Sequence, residues 1–367
     1  MKLAFLEAMK GQGIVSPNPL VGSVITLNNL VIGTGFHHGP GLPHAEIMAI
    51  KNAKENGHDL AGATLYCNLE PCCHTNKLTP PCAPEIISSG IKTVVISNLD
   101  PNPHVFGKGV EALKAGGLEV ITGIEEKEGA VINEIFFKYI QTKLPFIHLK
   151  MGQTLDGKIA TSTGDSKYIT GEQSLKRVHE TRYAYDAVLV GANTFLLDNP
   201  KLTIRNTSHE IPSQPYRVAL SKLDKINFTH NLISDDFASK TIIVTTHKDY
   251  MKNSGKVKML SELGVDVLSL QEDSIGKINL QDLLKELGER KITSLVVEGG
   301  SSLYTQFLNL NLFDKVSIFI APIIIGQGKS TIGDLFTESL SEAIRFYNTS
   351  FESLGADILF TGYRKDL

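Results

Sequence analysis

The sequence predicts an α/β protein made of two domains. The chain has 367 residues, which is more than one hydrophobic core usually contains. Short apolar runs typical of strands alternate with segments of helical spacing, and this alternation is typical of layered α/β domains. The alternation is interrupted by Lys143-Leu144-Pro145 and begins again at Phe146. We therefore expect one domain over 1–143 and a second over 144–367.

The first domain is expected to begin with a helix followed by a hairpin. Residues 3–10 place apolar side chains at helical spacing, and this helix ends before Gly11. Strands over 21–27 and 30–35 would be joined by a turn at Asn28-Asn29. Further elements are predicted as helices over 44–56, 82–89, 110–115 and 125–141, and as strands over 63–69, 94–97 and 119–122.

The second domain is expected to start with a strand over 146–151 and to be richer in strands. Most of these strands are short apolar runs bounded by polar or glycine-containing turns. The strand over 294–297 leads directly into a glycine turn, Glu298-Gly299-Gly300-Ser301-Ser302, that opens a helix. The other elements are predicted as helices over 172–184 and 280–286, and as strands over 187–190, 217–220, 241–245, 265–268, 315–321 and 356–363.

Composition argues against several classes of function. The formal net charge of −3 does not support the broad basic surface that binds a nucleic-acid backbone. No apolar stretch approaches the ~18 residues of a membrane span, and the first residues do not form a secretory signal. In such a chain, the four clustered cysteines favour metal binding over disulfides. We expect a cytoplasmic homo-oligomer that acts on small molecules and binds neither nucleic acid nor membranes.

Four residues of the first domain form the pattern of a zinc site with a proton carrier. His44, Cys72 and Cys82 are of the types that bind Zn²⁺, and three protein ligands leave the fourth tetrahedral position for water. Glu46 follows His44 by two residues, as in zinc-dependent nucleobase deaminases, where the glutamate is the general acid and base. Taken singly, each cysteine could be a small buried hydrophobic residue. The joint pattern favours zinc, and the other two cysteines are not expected to be ligands.

Five short motifs of the first domain resemble those of one enzyme family. They are Ser-Pro-Asn-Pro-Leu-Val-Gly at 16–22, Pro-His-Ala-Glu at 43–46, Leu-Glu-Pro-Cys at 69–72, Thr-Pro-Pro-Cys at 79–82 and Asp-Pro-Asn-Pro at 100–103. Together they are similar to the deaminase half of the bifunctional riboflavin-biosynthesis deaminase/reductase family. The resemblance implies a cytidine-deaminase-like three-layer α/β/α domain whose substrate contacts are Asn18, His37, His74 and Lys77.

Some of these implied contacts have plainer alternatives. Lys77 could equally be a solvated loop charge, and either His37 or the neighbouring His38 could be an exposed loop imidazole. Leu78 is an extra residue, relative to the family pattern, between Lys77 and the Thr-Pro-Pro-Cys motif.

The second domain resembles the reductase half of the same family, which has a dihydrofolate-reductase-like α/β fold. The similarity lies in the motifs at 149–160, 164–170, 191–194 and 198–205, and in the glycine turn at 298–302. It implies that NADPH is bound by Gln153, Tyr168, Thr194, Asp198, Gly299, Gly300, Ser301 and Ser302. It also implies that the ribose-phosphate part of the substrate is bound by Ser166, Arg182, Leu202, Arg205 and Glu298.

Physical chemistry supports some of these implied contacts. The backbone N–H groups of a glycine turn before a helix suit a phosphate. Arg182 and Arg205 carry guanidinium forks that can bind phosphate through two bonds, although either could be a surface charge. Tyr168 stands where the family commonly has tryptophan, and this chain contains no tryptophan.

The resemblance implies two reactions in one chain. The first domain would replace an amino group of a diaminopyrimidinone ribosyl phosphate by oxygen, and the second would reduce the ribosyl unit to ribityl with NADPH. One rival hypothesis is a nucleoside or tRNA deaminase with an unrelated appended domain. The negative net charge of the chain disfavours this hypothesis. Another is a non-catalytic zinc-stapled binding module. His44-Ala45-Glu46 disfavours the module, since a purely structural site usually closes the fourth position with a fourth ligand.

Overall fold

The computed structural model describes residues 1–74, 79–103, 105–205, 207, 210–273 and 276–366. The chain divides into two units, Met1–Lys143 and Leu144–Asp366. Each unit has its own sheet and its own hydrophobic core. No helix in this described part of the chain is both long enough and apolar enough to cross a membrane.

The first unit is built on one five-stranded sheet. In chain order its elements are α1 (Lys2–Met9), β1 (Gly22–Leu27), β2 (Leu30–Phe36), α2 (Ala45–Glu55), β3 (Thr64–Leu69), α3 (Cys82–Ser88), β4 (Thr93–Asn98), α4 (Lys108–Ala115), β5 (Glu119–Thr122), α5 (Glu126–Ile132) and α6 (Glu134–Thr142). The strand order is β2-β1-β3-β4-β5. Strands β3, β4 and β5 are parallel, whereas β1 is antiparallel to both of its neighbours.

Two glycines let helices approach opposite faces of this sheet. A Cβ atom on Gly22 would lie 2.2 Å from the carbonyl oxygen of Ala4 in α1, and one on Gly35 would lie 2.5 Å from the backbone nitrogen of Ala49 in α2. Gly22 pairs with Phe36, the residue next to Gly35, so the two glycines face opposite sides of the pleated sheet. Helices therefore cover both faces, and the predicted three-layer α/β/α arrangement is confirmed.

The single helix predicted over 125–141 is wrong, because α5 and α6 are separate helices that meet at Asn133. The Asn133 backbone has φ −105° and ψ 20°, outside the helical range. Its buried side-chain amide accepts the N–H of Leu20 at 2.9 Å and donates to the carbonyl oxygen of Leu20 at 3.0 Å. The break therefore places one side chain against the segment that follows the Ser-Pro-Asn-Pro motif.

The second unit is built on a nine-stranded sheet. Its elements are β6 (Phe146–Thr154), β7 (Lys158–Thr161), α7 (Glu172–Ala184), β8 (Ala187–Val190), β9 (Tyr216–Leu220), α8 (Asn231–Ser234), β10 (Thr241–Thr246), α9 (His247–Lys252), α10 (Ser254–Glu262), β11 (Asp266–Leu270), α11 (Leu280–Glu289), β12 (Ser294–Val297), α12 (Ser301–Asn309), β13 (Lys315–Ala321), β14 (Gly328–Ser330), β15 (Tyr347–Leu354) and β16 (Asp357–Tyr363). The sheet order is β11-β10-β9-β8-β12-β6-β13-β16-β15, and β7 and β14 form a separate ribbon.

Parallel pairing brings three loops of this unit to one edge of the sheet. In the sheet order β11-β10-β9-β8-β12-β6-β13, each strand is parallel to the next. The two remaining pairs, β13 with β16 and β16 with β15, are antiparallel. Strands β8, β12 and β6 are consecutive in this order. Their carboxyl ends therefore lie side by side, and in open α/β sheets ligands bind outside the carboxyl ends of the strands.

Candidate functional site

The predicted zinc ligands lie together in the first unit. His44 immediately precedes α2, Cys72 follows β3, and Cys82 is the first residue of α3. The Nδ1 atom of His44 lies 3.5 Å from the Sγ atom of Cys72 and 3.3 Å from that of Cys82, and the two sulfur atoms are 3.5 Å apart. One nitrogen and two sulfur atoms thus surround a single point.

This arrangement fits a zinc ion. Bonds of about 2.0–2.3 Å to a tetrahedral zinc place nitrogen and sulfur ligands roughly 3.5–3.8 Å apart. The Cys82 N–H group also points at the Sγ atom of Cys72, at 3.4 Å, which favours the thiolate form that a metal requires. His44, Cys72 and Cys82 would therefore hold Zn²⁺ and leave its fourth position open.

Thr79 contacts the far side of the His44 ring. Its Oγ1 atom lies 3.0 Å from Nε2, while Nδ1 faces the two sulfur atoms. A metal-binding histidine commonly donates its other N–H group to an oxygen atom, and this second contact fixes the orientation and tautomer of the ring. The sequence interpretation placed Thr79 in a motif but gave it no role.

Glu46 is a buried carboxylate beside the cluster. It lies in the first turn of α2 and is 2% exposed. Its Oε2 atom has no hydrogen-bond partner among the described residues. Burial raises the pKa of Glu46, and the nearby His44 opposes this effect by lowering the pKa. A carboxylate with an unbonded oxygen beside a metal site can carry a proton to and from a substrate.

Asn18 and His37 meet next to His44. The Nδ2 atom of Asn18 lies 2.8 Å from Nε2 of His37, and Nδ1 of His37 lies 3.3 Å from the carbonyl oxygen of Pro43. The ring centroids of His37 and His44 are 5.2 Å apart. His37 is buried, whereas His38 is exposed, so the alternative of an exposed loop imidazole describes His38 and not His37.

The remaining predicted positions of the first unit lie after or within β3. His74 is half-buried, while Lys77 and the extra Leu78 lie outside the described residues. Cys67 is buried inside β3, where burial raises the pKa of its thiol. Cys73 is half-buried and is not in the cluster of described residues placed to share a metal ion.

Glu70 supports the corner that carries Cys72, and the sequence interpretation missed this role. Its carboxylate accepts three backbone N–H groups, those of Asp100 at 3.2 Å, Gly107 at 3.0 Å and Val110 at 3.0 Å. A Cβ atom on Gly109 would lie 2.1 Å from the carbonyl oxygen of Pro71, so α4 approaches this corner only because position 109 is glycine. The Leu-Glu-Pro-Cys and Asp-Pro-Asn-Pro motifs are therefore tied together by one carboxylate.

The predicted cofactor residues of the second unit lie along the edge formed by β6, β8 and β12. Gln153 is near the end of β6, Thr194 follows β8, and the glycine turn follows β12. A Cβ atom on Gly299 would lie 2.9 Å from the backbone nitrogen of Gly191, so the two loops can approach only through glycine. Gly300 precedes α12, whose first N–H groups have no acceptor within the helix and suit an anionic group.

The other predicted cofactor residues are more exposed. Thr194–Asp198 forms a single π-helical turn, a feature that is frequent at functional sites. Asp198 and Ser302 are exposed, and the Tyr168 ring is 77% exposed. Each of these side chains is therefore accessible to a large ligand.

Arg182 and Glu298, both predicted to bind substrate, bind each other. Nε of Arg182 donates to Oε1 of Glu298 at 2.7 Å, and Nη2 donates to Oε2 at 2.9 Å. The Nζ atom of Lys150 lies 3.1 Å from the same Oε2, and Nη1 of Arg182 donates to the carbonyl oxygen of Thr203 at 2.9 Å. Burial raises the pKa of Glu298, but Arg182 and Lys150 together hold it well below its usual range. The sequence interpretation did not assign Lys150 to the site.

Three predicted substrate residues have different environments. Arg205 is exposed, and its backbone N–H donates to Nδ1 of His179 at 3.2 Å. The side chain of Leu202 is buried in the hydrophobic core, and its backbone has a φ of 52°, so its backbone is the part that could face a ligand. Ser166 is half-buried.

Two family models match the chain, one in each unit. Residues 1–98 match the cytidine and deoxycytidylate deaminase zinc-binding region, and residues 145–360 match the RibD C-terminal domain. The first match includes the His-Cys-Cys cluster, and the second includes the sheet edge described above. The fold and the sites thus define a zinc deaminase unit joined to a reductase unit, and the reductase unit implies a nucleotide cofactor.

Relatives align along nearly the whole chain. The riboflavin biosynthesis protein RibD of Aquifex aeolicus is 44% identical over 98% of this chain and 96% of that protein, and RibD of Actinobacillus pleuropneumoniae is 41% identical over 98% and 93%. A solved structure from Thermotoga maritima, a diaminohydroxyphosphoribosylaminopyrimidine deaminase/5-amino-6-(5-phosphoribosylamino)uracil reductase, is 38% identical with a TM-score of 0.85 and covers 99% of this chain and 97% of that one. The chain belongs to the RibD family of bifunctional riboflavin-biosynthesis deaminase/reductases.

Proposed function

We propose that the unit Met1–Lys143 deaminates a diaminohydroxyphosphoribosylaminopyrimidine, the substrate class named for the Thermotoga maritima relative. The observation that carries this proposal is the cluster of His44, Cys72 and Cys82 beside a buried carboxylate, Glu46, one oxygen of which has no hydrogen-bond partner in the described part of the chain. A purely structural zinc site does not need such a carboxylate. The proposed contacts to the pyrimidine are Asn18 and His37, and those to the rest of the substrate are His74 and Lys77.

Proton transfer is the task proposed for Glu46. When bound, zinc supplies Lewis-acid activation of a water molecule. Glu46 takes a proton from that water and gives it to a ring nitrogen of the pyrimidine. The hydroxyl oxygen forms a bond to the ring carbon that carries the amino group, and Glu46 then moves the remaining hydroxyl proton to that amino group. The carbon–nitrogen bond breaks, ammonia leaves, and the oxygen stays on the ring as a carbonyl. Burial of Glu46 keeps bulk water from competing for these protons.

We propose that the unit Leu144–Asp366 reduces the deaminated product, 5-amino-6-(5-phosphoribosylamino)uracil, with NADPH. NADPH supplies the hydride, and the protein supplies binding and orientation. Gln153, Thr194 and the turn from Gly299 to Ser302 would hold the cofactor at the edge formed by β6, β8 and β12, with Tyr168 and Asp198 at its exposed side. The substrate would lie beside Ser166, Leu202, Glu298 and the two arginines.

The two arginines are proposed to have different tasks. Arg182 already donates two hydrogen bonds to Glu298, so its fork orients that carboxylate. The exposed Arg205 guanidinium is the fork available to the phosphate of the substrate.

We also propose that the protein is a cytoplasmic homo-oligomer that binds no nucleic acid. The net charge of −3 supports the expectation that the chain binds no nucleic acid, and the need to keep Cys72 and Cys82 reduced supports the cytoplasmic location.

The order of the two reactions provides the test. Purified full-length protein is incubated with the diaminopyrimidine ribosyl phosphate, first without and then with NADPH, while ammonia and NADPH are measured. Ammonia should appear without NADPH, and NADPH should be consumed only after deamination. Absence of ammonia, or oxidation of NADPH without prior ammonia release, would contradict the proposal. NADH in a parallel sample tests the choice of cofactor.

A further inference from the structure

His179 lies beside both arginines of the proposed phosphate site. It is on α7, three residues before Arg182. Its Nδ1 atom accepts the backbone N–H of Arg205 at 3.2 Å. Burial, followed by the charges of Arg182 and Arg205, lowers the pKa of His179 to about 4. The imidazole is therefore neutral at neutral pH, and because Nδ1 is an acceptor, its proton is on Nε2.

Helix α7 holds the segment around Arg205 at two points. Nη1 of Arg182 donates to the carbonyl oxygen of Thr203, and Nδ1 of His179 accepts from the N–H group of Arg205. Arg182 is itself fixed by its two hydrogen bonds to Glu298. Thr203 is thus attached to a rigid, buried group. Between the two points, the side chain of Gln214 accepts the N–H of Ile204 at 2.7 Å and donates to its carbonyl oxygen at 3.3 Å. The backbone N–H of Arg205 is the part of this segment that the imidazole holds.

The part of Arg205 that His179 holds is its backbone, and the guanidinium remains exposed. A long side chain on an unanchored loop loses side-chain and backbone freedom when it binds a ligand, and an anchored backbone reduces that cost. We therefore expect this anchor to matter most for ligands that contact Arg205.

We propose that His179 is a positioning residue for the phosphate of the reductase substrate: by accepting the Arg205 backbone N–H, it aims the Arg205 guanidinium at the phosphomonoester. This inference rests on the proposed function, in which Arg205 binds that phosphate. His179 itself takes no part in hydride transfer.

Two substitutions separate this role from a general structural one. His179→Asn keeps an acceptor oxygen near the position of Nδ1, whereas His179→Gln moves the acceptor outward to the position of Nε2. Both are polar and of moderate size. Each full-length variant is assayed for kcat and KM in the reductase reaction, with the phosphorylated substrate and with its dephosphorylated ribosyl counterpart. Lys176→Gln, which removes an exposed cation one turn earlier on α7, is the matched control.

The expected result is a loss of phosphate preference in one variant alone. His179→Gln should raise the KM for the phosphorylated substrate about fivefold to tenfold, as expected for loss of one hydrogen bond. It should leave kcat unchanged, and it should leave both kcat and KM unchanged for the dephosphorylated substrate. His179→Asn and Lys176→Gln should behave as the unmodified protein.

Other results have distinct meanings. If the unmodified protein does not prefer the phosphorylated substrate, the proposed phosphate site fails. If the unmodified protein does prefer the phosphorylated substrate, three results overturn the positioning role of Nδ1. In the first, both His179 variants have the same preference as the unmodified protein; in the second, both lose that preference. In the third, His179→Gln loses activity equally with the phosphorylated and the dephosphorylated substrate.

Discussion

The guanidinium of Arg182 and the carboxylate of Glu298 form a nearly solvent-free pair joined by two hydrogen bonds. On the same helix, Arg177 makes the same kind of two-bond pair with Glu352. The side chains are 11% and 6% exposed in the first pair, and 34% and 49% exposed in the second. One helix therefore carries one chemical interaction in two environments, and substitutions can separate the effect of burial from that of pairing.

We expect Glu298→Gln to destabilise the second unit far more than Glu352→Gln. Removing the buried carboxylate's charge leaves Arg182 and Lys150 buried without a counter-ion, which typically costs about 3–5 kcal/mol. Loss of an exposed pair typically costs about 1 kcal/mol or less. Differential scanning calorimetry of both full-length variants measures the difference. Equal destabilisation of the two variants would show that the buried Arg182–Glu298 pair contributes no more to the stability of the fold than the exposed Arg177–Glu352 pair.

Stability should also depend on pH through Glu298. Because its folded-state pKa is depressed, its charged form stabilises the fold above the pKa of an unfolded glutamate, about 4.3. This contribution is lost as the pH falls from that value toward the lower folded-state pKa. The difference between the unfolding midpoints of the unmodified protein and Glu298→Gln should therefore begin to narrow once the pH falls below about 4.3, in measurements between neutral pH and pH 3. Parallel midpoints over the whole range would contradict this assignment.

Thr79→Val should weaken zinc binding by about 10-fold or more, because it removes the oxygen beside Nε2 of His44 while keeping the size of the side chain. Thr79→Ser retains the hydroxyl group and should bind zinc as the unmodified protein does. Competition with a chromophoric chelator gives the affinity independently of catalysis. Equal zinc affinity in the valine and serine variants would rule out this orienting role.

Cys72→Ser or Cys82→Ser should remove most of the zinc, and Cys73→Ser should not. The first two sulfur atoms lie within 3.5 Å of the same ring nitrogen, whereas Cys73 lies outside this cluster. Metal content by atomic emission, with circular dichroism to verify folding, tests the assignment. Full zinc in Cys82→Ser together with loss in Cys73→Ser would mean that the wrong sulfur has been assigned.

A fragment over Leu144–Asp366 should bind NADPH and reduce supplied deaminated substrate without zinc. The physical reason is that this unit has its own sheet and core, and every proposed NADPH contact lies within it. Equilibrium binding of NADPH to the soluble fragment is the measurement. A folded fragment that does not bind NADPH would show that the two sites depend on each other.

Local sequence signals predicted most elements of the fold, and they failed where an element depends on distant contacts. The helix over 125–141 has continuous helical spacing, but its break at Asn133 is determined by hydrogen bonds to Leu20, which is 113 residues away along the chain. β15 was not predicted, because it is an edge strand whose residues are exposed except Leu354, so it has no apolar alternation. Its pairing with β16 makes it a strand.

The same distinction applies to the sites. Residue types and spacing were enough to predict the cluster of His44, Cys72 and Cys82, because an imidazole and two thiols in this joint pattern are typical of a zinc site. Spacing could not show that Thr79 contacts His44, nor that Arg182 donates to Glu298. Both contacts join separate elements, and each side chain alone has an ordinary alternative as a loop hydroxyl or a surface charge.

Glu46→Gln tests the central claim most directly, because it keeps the size of the side chain and removes the proton carrier. The full-length variant should retain about one zinc per chain and release ammonia about 100-fold or more slowly than the unmodified protein. In the same sample, supplied deaminated substrate should be reduced by NADPH at the unmodified rate. Ammonia release near the unmodified rate would contradict the account, since Glu46 could then not be the group that moves the protons.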